Sequence, residues 1–171
     1  ETRTTGTERK GKILVVDDNE MNRDLLQRHL VKLGHEALLA EGGEEGLQKL
    51  TEESFDLVLL DVMMPVLNGH QVLQQLKADP SLRDVPVIMI SALDELSSVV
   101  RCIENGAEDY LPKPFDPVLL NARVGACLEK KWLHDLEKEQ RQEIARLKKE
   151  LVKRNDLIRR TFARYLYDEI V

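Results

Sequence analysis

The sequence predicts an α/β fold, in which a doubly wound, five-stranded parallel β-sheet is followed by a long C-terminal helix. Two observations indicate the sheet: five short apolar runs alternate with amphipathic segments of helical period, and the runs are continuous. Continuous apolar runs are typical of strands that are buried on both faces of a parallel sheet. A third observation indicates the long helix, because no proline follows Pro117 and Gly125 is the only later glycine.

The predicted strands are the five apolar runs, and their brevity suits the strands of a small α/β domain. The runs are residues 13–16, 37–40, 57–60, 87–90 and 110–111.

Between the runs, apolar residues recur at three- and four-residue spacing, which is the period of a helix with one buried face. Gly34 and the pair Asn105-Gly106 follow two of these segments and Pro80 follows another, and all are typical helix stops. Pro117 opens the fifth helix at a first-turn position, where its missing N–H breaks no hydrogen bond. The apolar positions of the first four helices are Leu26, Leu30 and Leu33, then Leu47 and Leu50, then Val72, Leu73 and Leu76, then Leu96, Val99, Val100 and Ile103.

The composition is that of a folded chain, with 171 residues that are 42% hydrophobic and 33% charged. No run of about 18 apolar residues is present to span a membrane, and no apolar segment near the start indicates a secretory signal. Cys102 and Cys127 fit no metal or redox spacing, which favours a reducing, cytoplasmic location. Residues 1–11 are polar and are predicted to be a disordered leader. Because the chain starts without Met and stops at Val171 within an apolar pattern, we expect it to be a piece of a longer protein.

Charge is distributed unevenly along the chain. Residues 1–128 hold 13 Lys and Arg against 22 Asp and Glu, a net charge of −9, whereas residues 129–171 hold 12 against 9, a net charge of +3. The acidic part argues against a nucleic-acid surface. In the basic part both signs are interleaved, which indicates a solvated helix and lacks the dense basic run of a basic-zipper DNA-binding protein.

Polar residues follow four of the five predicted strands. Asp17 and Asp18 follow the first, Asp61 the third, Ser91 the fourth and Lys113 the fifth. Each residue alone is most simply explained as a cap, a turn residue or a surface lysine. Because the carboxyl ends of parallel strands share one edge of a sheet, where α/β proteins bind ligands, we expect the five residues to converge there.

Three converging carboxylates repel one another, and a divalent cation relieves that repulsion. Few protein ligands and several waters are typical of Mg²⁺, which proteins use beside phosphate groups. An aspartate can form an aspartyl phosphate, while a lysine and the cation stabilise the transferring phosphoryl group. The residues therefore predict phosphoryl chemistry. An aspartate-nucleophile phosphohydrolase is an alternative, but such enzymes carry two aspartates two residues apart after the first strand, whereas Asp17 and Asp18 are adjacent.

Residues 12–128 resemble the receiver domain of two-component response regulators. The resemblance implies the flavodoxin-like receiver fold, a sensor histidine kinase as phosphoryl donor, and a conformational switch that phosphorylation drives. The segments that carry the resemblance are KILVVDDNEMNRDLL, DLVLLDVMMPVLNGHQVL, VPVIMISAL and GAEDYLPKPFDPVLL.

The same resemblance implies a role for each candidate site residue. Asp61 would be the phosphoacceptor, Lys113 its cationic partner, Ser91 the switch hydroxyl and Tyr110 the switch aromatic. The Lys113–Pro114 bond would be cis. The ligands of Mg²⁺ would be Asp18 and Asp61 directly, Asp17 through water, and the backbone carbonyl of Met63.

The roles of Tyr110 and Ser91 each depend on a further feature of the residue. Tyr110 could instead be an ordinary strand aromatic that packs on the sheet, but its place three residues before Lys113 favours the switch role. Ser91 stands where Thr is the commoner residue, and without the extra methyl its rotamer is less restrained.

Residues 129–160 are predicted to form a coiled-coil signalling helix that continues from the fifth helix to about Arg160. The seam contains one extra step of four residues, a stutter, which locally unwinds a left-handed supercoil. Its narrow apolar stripe and charged flanks favour a parallel homodimer over a single amphipathic helix lying on its own domain. The face of helix 4, strand 5 and helix 5 is a second candidate interface. The seam residues are Leu133, Leu136, Gln140, Ile144, Leu147, Leu151, Arg154 and Ile158.

Residues 161–171 are interpreted as the start of a truncated output domain. The stretch Phe162-Ala163-Arg164-Tyr165 resembles the lead-in to class III adenylate/guanylate cyclase catalytic domains, although it could also be only the apolar end of the helix. The cyclase metal-binding and base-recognition residues are absent, so we do not expect this chain itself to make a cyclic nucleotide. The alternatives are a constitutive dimerisation scaffold with a non-switching receiver, or a receiver coupled to another output domain.

Overall fold

The computed structural model describes residues 9–92 and 96–170 and contains the predicted doubly wound sheet. The strands are β1 Lys12–Val16, β2 Glu36–Ala40, β3 Leu57–Asp61, β4 Val87–Ser91 and β5 Asp109–Pro112. They lie in the order β2-β1-β3-β4-β5, and every neighbouring pair is parallel. The predicted fold class is therefore confirmed. Residues 1–8 of the predicted leader, the side chain of Leu96 and Val171 lie outside the described residues.

Burial differs between the central and the edge strands. Strands β3 and β4 are buried along their whole length. The three middle residues of β2 are only half-buried, so the expectation of burial on both faces is wrong for this strand. The reason is its position, because β2 is an edge strand with a neighbour on one side only.

Five helices connect and follow the strands, and their ends carry the expected signals. The side chain of Asn19 caps α1, and Asn68 and Gln71 form a capping box at the start of α3. Gly34 and Gly106, after α1 and α4, have φ values of 89° and 99°, which favour glycine. The helices are α1 Glu20–Lys32, α2 Gly43–Glu52, α3 Gly69–Ala78, α4 Leu96–Glu104 and α5 Pro117–Ile170.

The helices cover both faces of the sheet. One face packs against α2, α3 and α4, whose buried side chains include Leu50, Leu73 and Cys102. Leu26 of α1 and Leu120 of α5 are buried outside that cluster, together with the alternate residues of the central strands. This two-sided cover explains why the central strands are continuous apolar runs.

The chain divides into two units, Glu1–Lys131, which holds the sheet, and Trp132–Val171. Helix α5 continues past the predicted end near Arg160 to Ile170, because neither proline nor glycine interrupts it there. From Leu136 to Ile170 every residue is exposed in the single chain. No helix among the described residues is both long and apolar enough to cross a membrane.

Val66, in the loop between β3 and α3, adopts a left-handed backbone conformation with a φ of 66°. The N–H of Leu67 donates to the carbonyl of Pro65 at 2.8 Å, so Val66 is the centre of a γ-turn, a strained conformation for a β-branched residue. Its side chain is 89% exposed, so replacing it sacrifices little packing. We expect Val66→Asn to raise the free energy of unfolding by about 1 kcal/mol in urea denaturation, since asparagine tolerates this region.

The control for this prediction is Val118→Asn, at a valine that is 77% exposed and lies in the helix α5. Because its backbone is helical, no strain is released there. An equal gain in both variants would contradict the proposed strain at Val66.

Candidate functional site

The carboxyl ends of four strands bring the predicted polar residues together at one edge of the sheet. Asp61 and Ser91 are the last residues of β3 and β4, and Asp17 and Lys113 directly follow β1 and β5. Asp17, Asp61 and Ser91 are only 1%, 4% and 1% exposed. The site includes the ends of β1 and β3, where the strand order reverses and where open α/β sheets bind ligands.

The ammonium of Lys113 joins the two buried carboxylates. Its Nζ lies 3.0 Å from Oδ2 of Asp17 and 3.0 Å from Oδ1 of Asp61, so it donates a hydrogen bond to each. Asp18, next to Asp17, is exposed. One carboxylate oxygen from each of Asp17, Asp18 and Asp61 lies within 4.8 Å of the other two. One lysine thus faces three carboxylates.

The pKa values of the buried groups reflect this excess of negative charge. Burial raises the pKa of the Asp61 carboxyl above its ordinary value, and the carboxylate of Asp17 adds to the rise against the opposing hydrogen bond from Lys113. Burial alone would lower the pKa of Lys113, but its hydrogen bonds to Asp61 and Asp17 outweigh that effect and raise it. The lysine is therefore protonated at neutral pH. Ionisation of Asp61 at that pH lowers the free energy of unfolding.

The donor set fits the Mg²⁺ that the resemblance implies. Carboxylate oxygens are ligands that this cation prefers, and two further positive charges would balance the excess negative charge of the site. The exposure of Asp18 leaves room for water ligands on that side. The backbone of Met63 lies near the carboxylate of Asp61 and lowers its pKa against the larger effect of burial. A ligand role for the carbonyl of Met63 stays a prediction.

Arg23, which is not among the predicted site residues, supports the acidic end of β1. Arg23 is 8% exposed, and its Nη1 donates to the backbone carbonyl of Asp17 at 2.8 Å. The backbone N–H of Asn19 donates to Oδ1 of the same aspartate at 2.9 Å. The sequence did contain a signal, because Arg23 shares the helical stripe of the buried Leu26 and Leu30.

Ser91 connects the ends of β4 and β5 through its backbone carbonyl. That carbonyl accepts from the backbone N–H of Lys113 at 2.8 Å and from the hydroxyl of Tyr110 at 3.2 Å. The side chain of Tyr110 is 8% exposed and belongs to the core, which is the packing role that the simpler alternative describes. The switch roles of Tyr110 and Ser91 stay predictions. The Lys113–Pro114 bond is cis.

Replacing Asp61 with Asn should stabilise the fold at neutral pH. Because the pKa of Asp61 is raised in the folded state, that state binds more protons than the unfolded chain between the ordinary and the raised pKa, and stability falls as the pH rises through this window. Above the raised pKa, the wild type bears the full free-energy cost of ionising the buried carboxyl of Asp61. We expect Asp61→Asn to raise the free energy of unfolding by about 1 kcal/mol at pH 7 without Mg²⁺.

Guanidinium denaturation over a pH series would measure this effect. The advantage of Asp61→Asn should vanish below the ordinary pKa of aspartate, where the wild-type carboxyl is protonated in both states. Mg²⁺ binds the folded site and so should stabilise the wild type. It should stabilise the variant less, because the variant lacks the carboxylate of Asp61. A gain that stays constant across the whole pH series would contradict the assignment to the buried charge.

Comparison with known proteins gives a consistent set of relatives. A family model described as "Response regulator receiver domain" matches residues 13–125. The chain is 41% identical over 123 residues to "Probable transcriptional regulator ycf27" of Guillardia theta, covering 72% of this chain and 47% of that protein. It is 44% identical over 119 residues to "Alkaline phosphatase synthesis transcriptional regulatory protein PhoP" of Bacillus subtilis, covering 70% and 49%. The chain thus spans about half the length of these curated relatives.

Solved structures show the same likeness. A putative response regulator from Chloroflexus aurantiacus superposes with a TM-score of 0.68 at 31% identity, covering 71% of this chain and 99% of that one. The family match ends at residue 125, within α5.

Proposed function

The chain belongs to the response regulator receiver domain family, and from this premise we propose that Asp61 accepts a phosphoryl group from a sensor histidine kinase. The observation that carries the proposal is the buried carboxylate of Asp61, held 3.0 Å from Nζ of Lys113 beside two further carboxylates. An oxygen of Asp61 would attack the phosphorus of a phosphohistidine. The new O–P bond forms as the N–P bond breaks, and the imidazole of the kinase leaves. We propose that the chain and the histidine kinase that phosphorylates it meet in the cytoplasm.

The neighbouring residues would hold the transferred group. Lys113, which now donates to Asp61, would donate to a phosphoryl oxygen, and the hydroxyl of Ser91 would donate to another. Mg²⁺, held by Asp17, Asp18 and Asp61, would neutralise charge on the phosphoryl oxygens when bound. The hydrogen bond from Ser91 would be new and would contribute about 1.5–3 kcal/mol, whereas Lys113 would exchange an existing bond to Asp61 for one to the phosphoryl group. Because inverting a 1:99 population needs about 5.5 kcal/mol, the phosphoryl group would shift a two-state equilibrium substantially, and further contacts would complete the inversion.

We propose that α5 passes this change to a second copy of the chain through a parallel coiled coil. The seven steps from Leu133 to Ile158 along the seam average about 3.6 residues, so on a straight helix the seam forms one stripe about 80° wide. Phe162 and Tyr165 continue the stripe. The apolar members of the seam are 46–65% exposed in the single chain: Leu133 57%, Leu136 50%, Ile144 53%, Leu147 46%, Leu151 65% and Ile158 63%. A continuous exposed stripe of this kind supports pairing with an identical helix.

The surface of α4, β5 and α5 offers a second interface in the same dimer. Val100 and Ile103 of α4 are 44% and 46% exposed, and Val118 of α5 is 77% exposed. Through such an interface, α4, β5 and α5, which follow Ser91 in the chain, would contact the partner copy directly.

Spin labels on the two chains would test the transmission. Lys149→Cys places a label on the side of the helix away from the stripe, while Cys102 and Cys127 are buried. We expect beryllofluoride with Mg²⁺, a mimic of the phosphoryl group, to change the interchain distance, and we expect Asp61→Asn to remove the change. Leu147→Gln should weaken the interchain signal. A distance that ignores the mimic would favour the alternative, a constitutive dimerisation scaffold.

For the output we propose a class III adenylate/guanylate cyclase domain. The support is the stretch Phe162-Ala163-Arg164-Tyr165 and a helix that continues unbroken through it. The relatives named above are called transcriptional regulators, so a transcriptional output is the alternative. A protein that carries this chain with its output domain should form a cyclic nucleotide from ATP or GTP. Sequence-specific DNA binding without cyclase activity would support the alternative instead.

A further inference from the structure

A polar cleft of about 510 Å³ lies between α3 and α4 and shares no residue with the Asp61 site. Among residues 9–92 and 96–170, no carboxylate lines it, although residues 1–128 carry a net charge of −9. Two cations, Lys77 and Arg101, contribute to its walls. The cleft is also lined by polar side chains without a formal charge, among them Asn68, His70, Gln71 and Asn105.

The capping box of α3 determines which side-chain atoms of Asn68 and Gln71 remain available to a ligand in the cleft. The backbone N–H of Gln71 donates to Oδ1 of Asn68 at 3.0 Å, and the backbone N–H of Asn68 donates to Oε1 of Gln71 at 2.9 Å. An amide side chain accepts a hydrogen bond only through its oxygen, so the side-chain oxygens of Asn68 and Gln71 are both engaged. Each amide is left with its NH₂ group, which can only donate.

His70 adds a half-buried ring to the same wall. Its Nδ1 is buried and has no hydrogen-bond partner among the described residues. Burial lowers the pKa of His70, and the positive charge of Arg101 lowers it further. A bound anion beside the ring would offset the charge of Arg101.

Lys77 contributes less to the charge of the cleft than Arg101 does. Its Nζ donates to the carbonyls of Arg83 and Val85, at 2.9 and 3.0 Å. The acidic groups of Glu108 and Asp84 lie near it and raise its pKa against the larger effect of burial. We therefore assign the principal electrostatic role in the cleft to Arg101.

We propose that the cleft between α3 and α4 binds a small phosphate-bearing anion, with the guanidinium of Arg101, the ring of His70 and the amide NH₂ groups of Asn68 and Gln71 as its donors. Arginine suits this ligand because its planar guanidinium donates two parallel hydrogen bonds to a phosphate. The site is separate from phosphoryl transfer at Asp61 and does not depend on it. It bridges α3, which follows the acceptor loop, and α4, which follows the strand that ends in Ser91.

Histidine NMR would test the proposal on the whole chain, which has four histidines. Inorganic phosphate and AMP are titrated separately at pH 7 into Asp61→Asn in EDTA, so that the acceptor site cannot contribute. We expect a saturable shift of the ring signals of His70, with His134 on the exposed helix as the internal reference. Arg101→Gln should weaken the affinity at least about tenfold. The matched control, Arg146→Gln, replaces an exposed arginine outside the cleft and should leave the affinity unchanged.

The two ligands distinguish the source of the phosphate. Tighter binding of AMP than of inorganic phosphate supports an organic phosphate, and equal or weaker binding of AMP supports an inorganic one. No shift, a shift without saturation, or the same shift at all four histidines would overturn the proposal. So would an unchanged affinity in Arg101→Gln, provided that circular dichroism shows the variant to be folded.

Discussion

Asp61→Asn should abolish phosphorylation of this chain by acetyl phosphate in Mg²⁺. The wild type should gain one phosphoryl group per chain, and the variant none, because an amide lacks the nucleophilic oxygen that a carboxylate provides. Burial and contact with Lys113 are shared by Asp17 and Asp61, and Asp61 is the one proposed acceptor because the resemblance to receiver domains gives it that role. Intact-mass spectrometry measures the outcome directly.

Two controls make this prediction specific. Asp24→Asn removes an exposed carboxylate of α1 and should leave phosphorylation unchanged. Chelation of Mg²⁺ in the wild type should reduce phosphorylation strongly, because the carboxylates of Asp17 and Asp18 would then add uncompensated negative charge beside the incoming phosphoryl group. Phosphorylation that survives in Asp61→Asn would place the acceptor elsewhere in the chain.

The second large effect is expected at Gly69, the first residue of α3. A Cβ at this position would lie 2.2 Å from the backbone oxygen of Asp61 and 2.8 Å from Cα of Val62. Both neighbours are backbone atoms, so they cannot move away as a flexible side chain could. We expect Gly69→Ala to lower the free energy of unfolding by about 3 kcal/mol or more, measured by guanidinium denaturation. Phosphorylation of the folded fraction should also slow, because the clash displaces the end of β3, which bears the acceptor.

Gly125→Ala is the matched control for this prediction. It lies inside α5, and an added Cβ there meets nothing within 4 Å. Alanine in place of glycine within a helix should stabilise the chain by up to about 1 kcal/mol. The two variants are expected to change stability in opposite directions. A Gly69→Ala variant as stable as the wild type would contradict the close approach of α3 to the acceptor strand.

Local pattern was sufficient to predict much of this molecule. The alternation of apolar runs with segments of helical period predicted the parallel sheet, because side-chain spacing along a chain follows the repeat of its secondary structure. The glycines after α1 and α4 predicted where those helices end, because few residues other than glycine adopt a positive φ. The polar residues after the strands predicted a shared edge, since parallel strands all end on the same side.

Other features depend on neighbours that are distant in the chain. The half-burial of β2 follows from its place at the edge of the sheet, which the apolar run of residues 37–40 does not reveal. The role of Arg23 follows from contact with the carbonyl of Asp17. The requirement for glycine at position 69 follows from the passage of a backbone carbonyl of β3 at that point.

The chemistry of the site divides in the same way. Residue type alone was enough to indicate carboxylates, a hydroxyl and an ammonium at one edge of the sheet, and spacing alone was enough to indicate the seam of α5. Folding brings Nζ of Lys113 to within 3.0 Å of both Asp17 and Asp61 and buries these carboxylates, which raises the pKa of Asp61. Distances and dielectric surroundings between remote residues set these properties, and no local pattern encodes them.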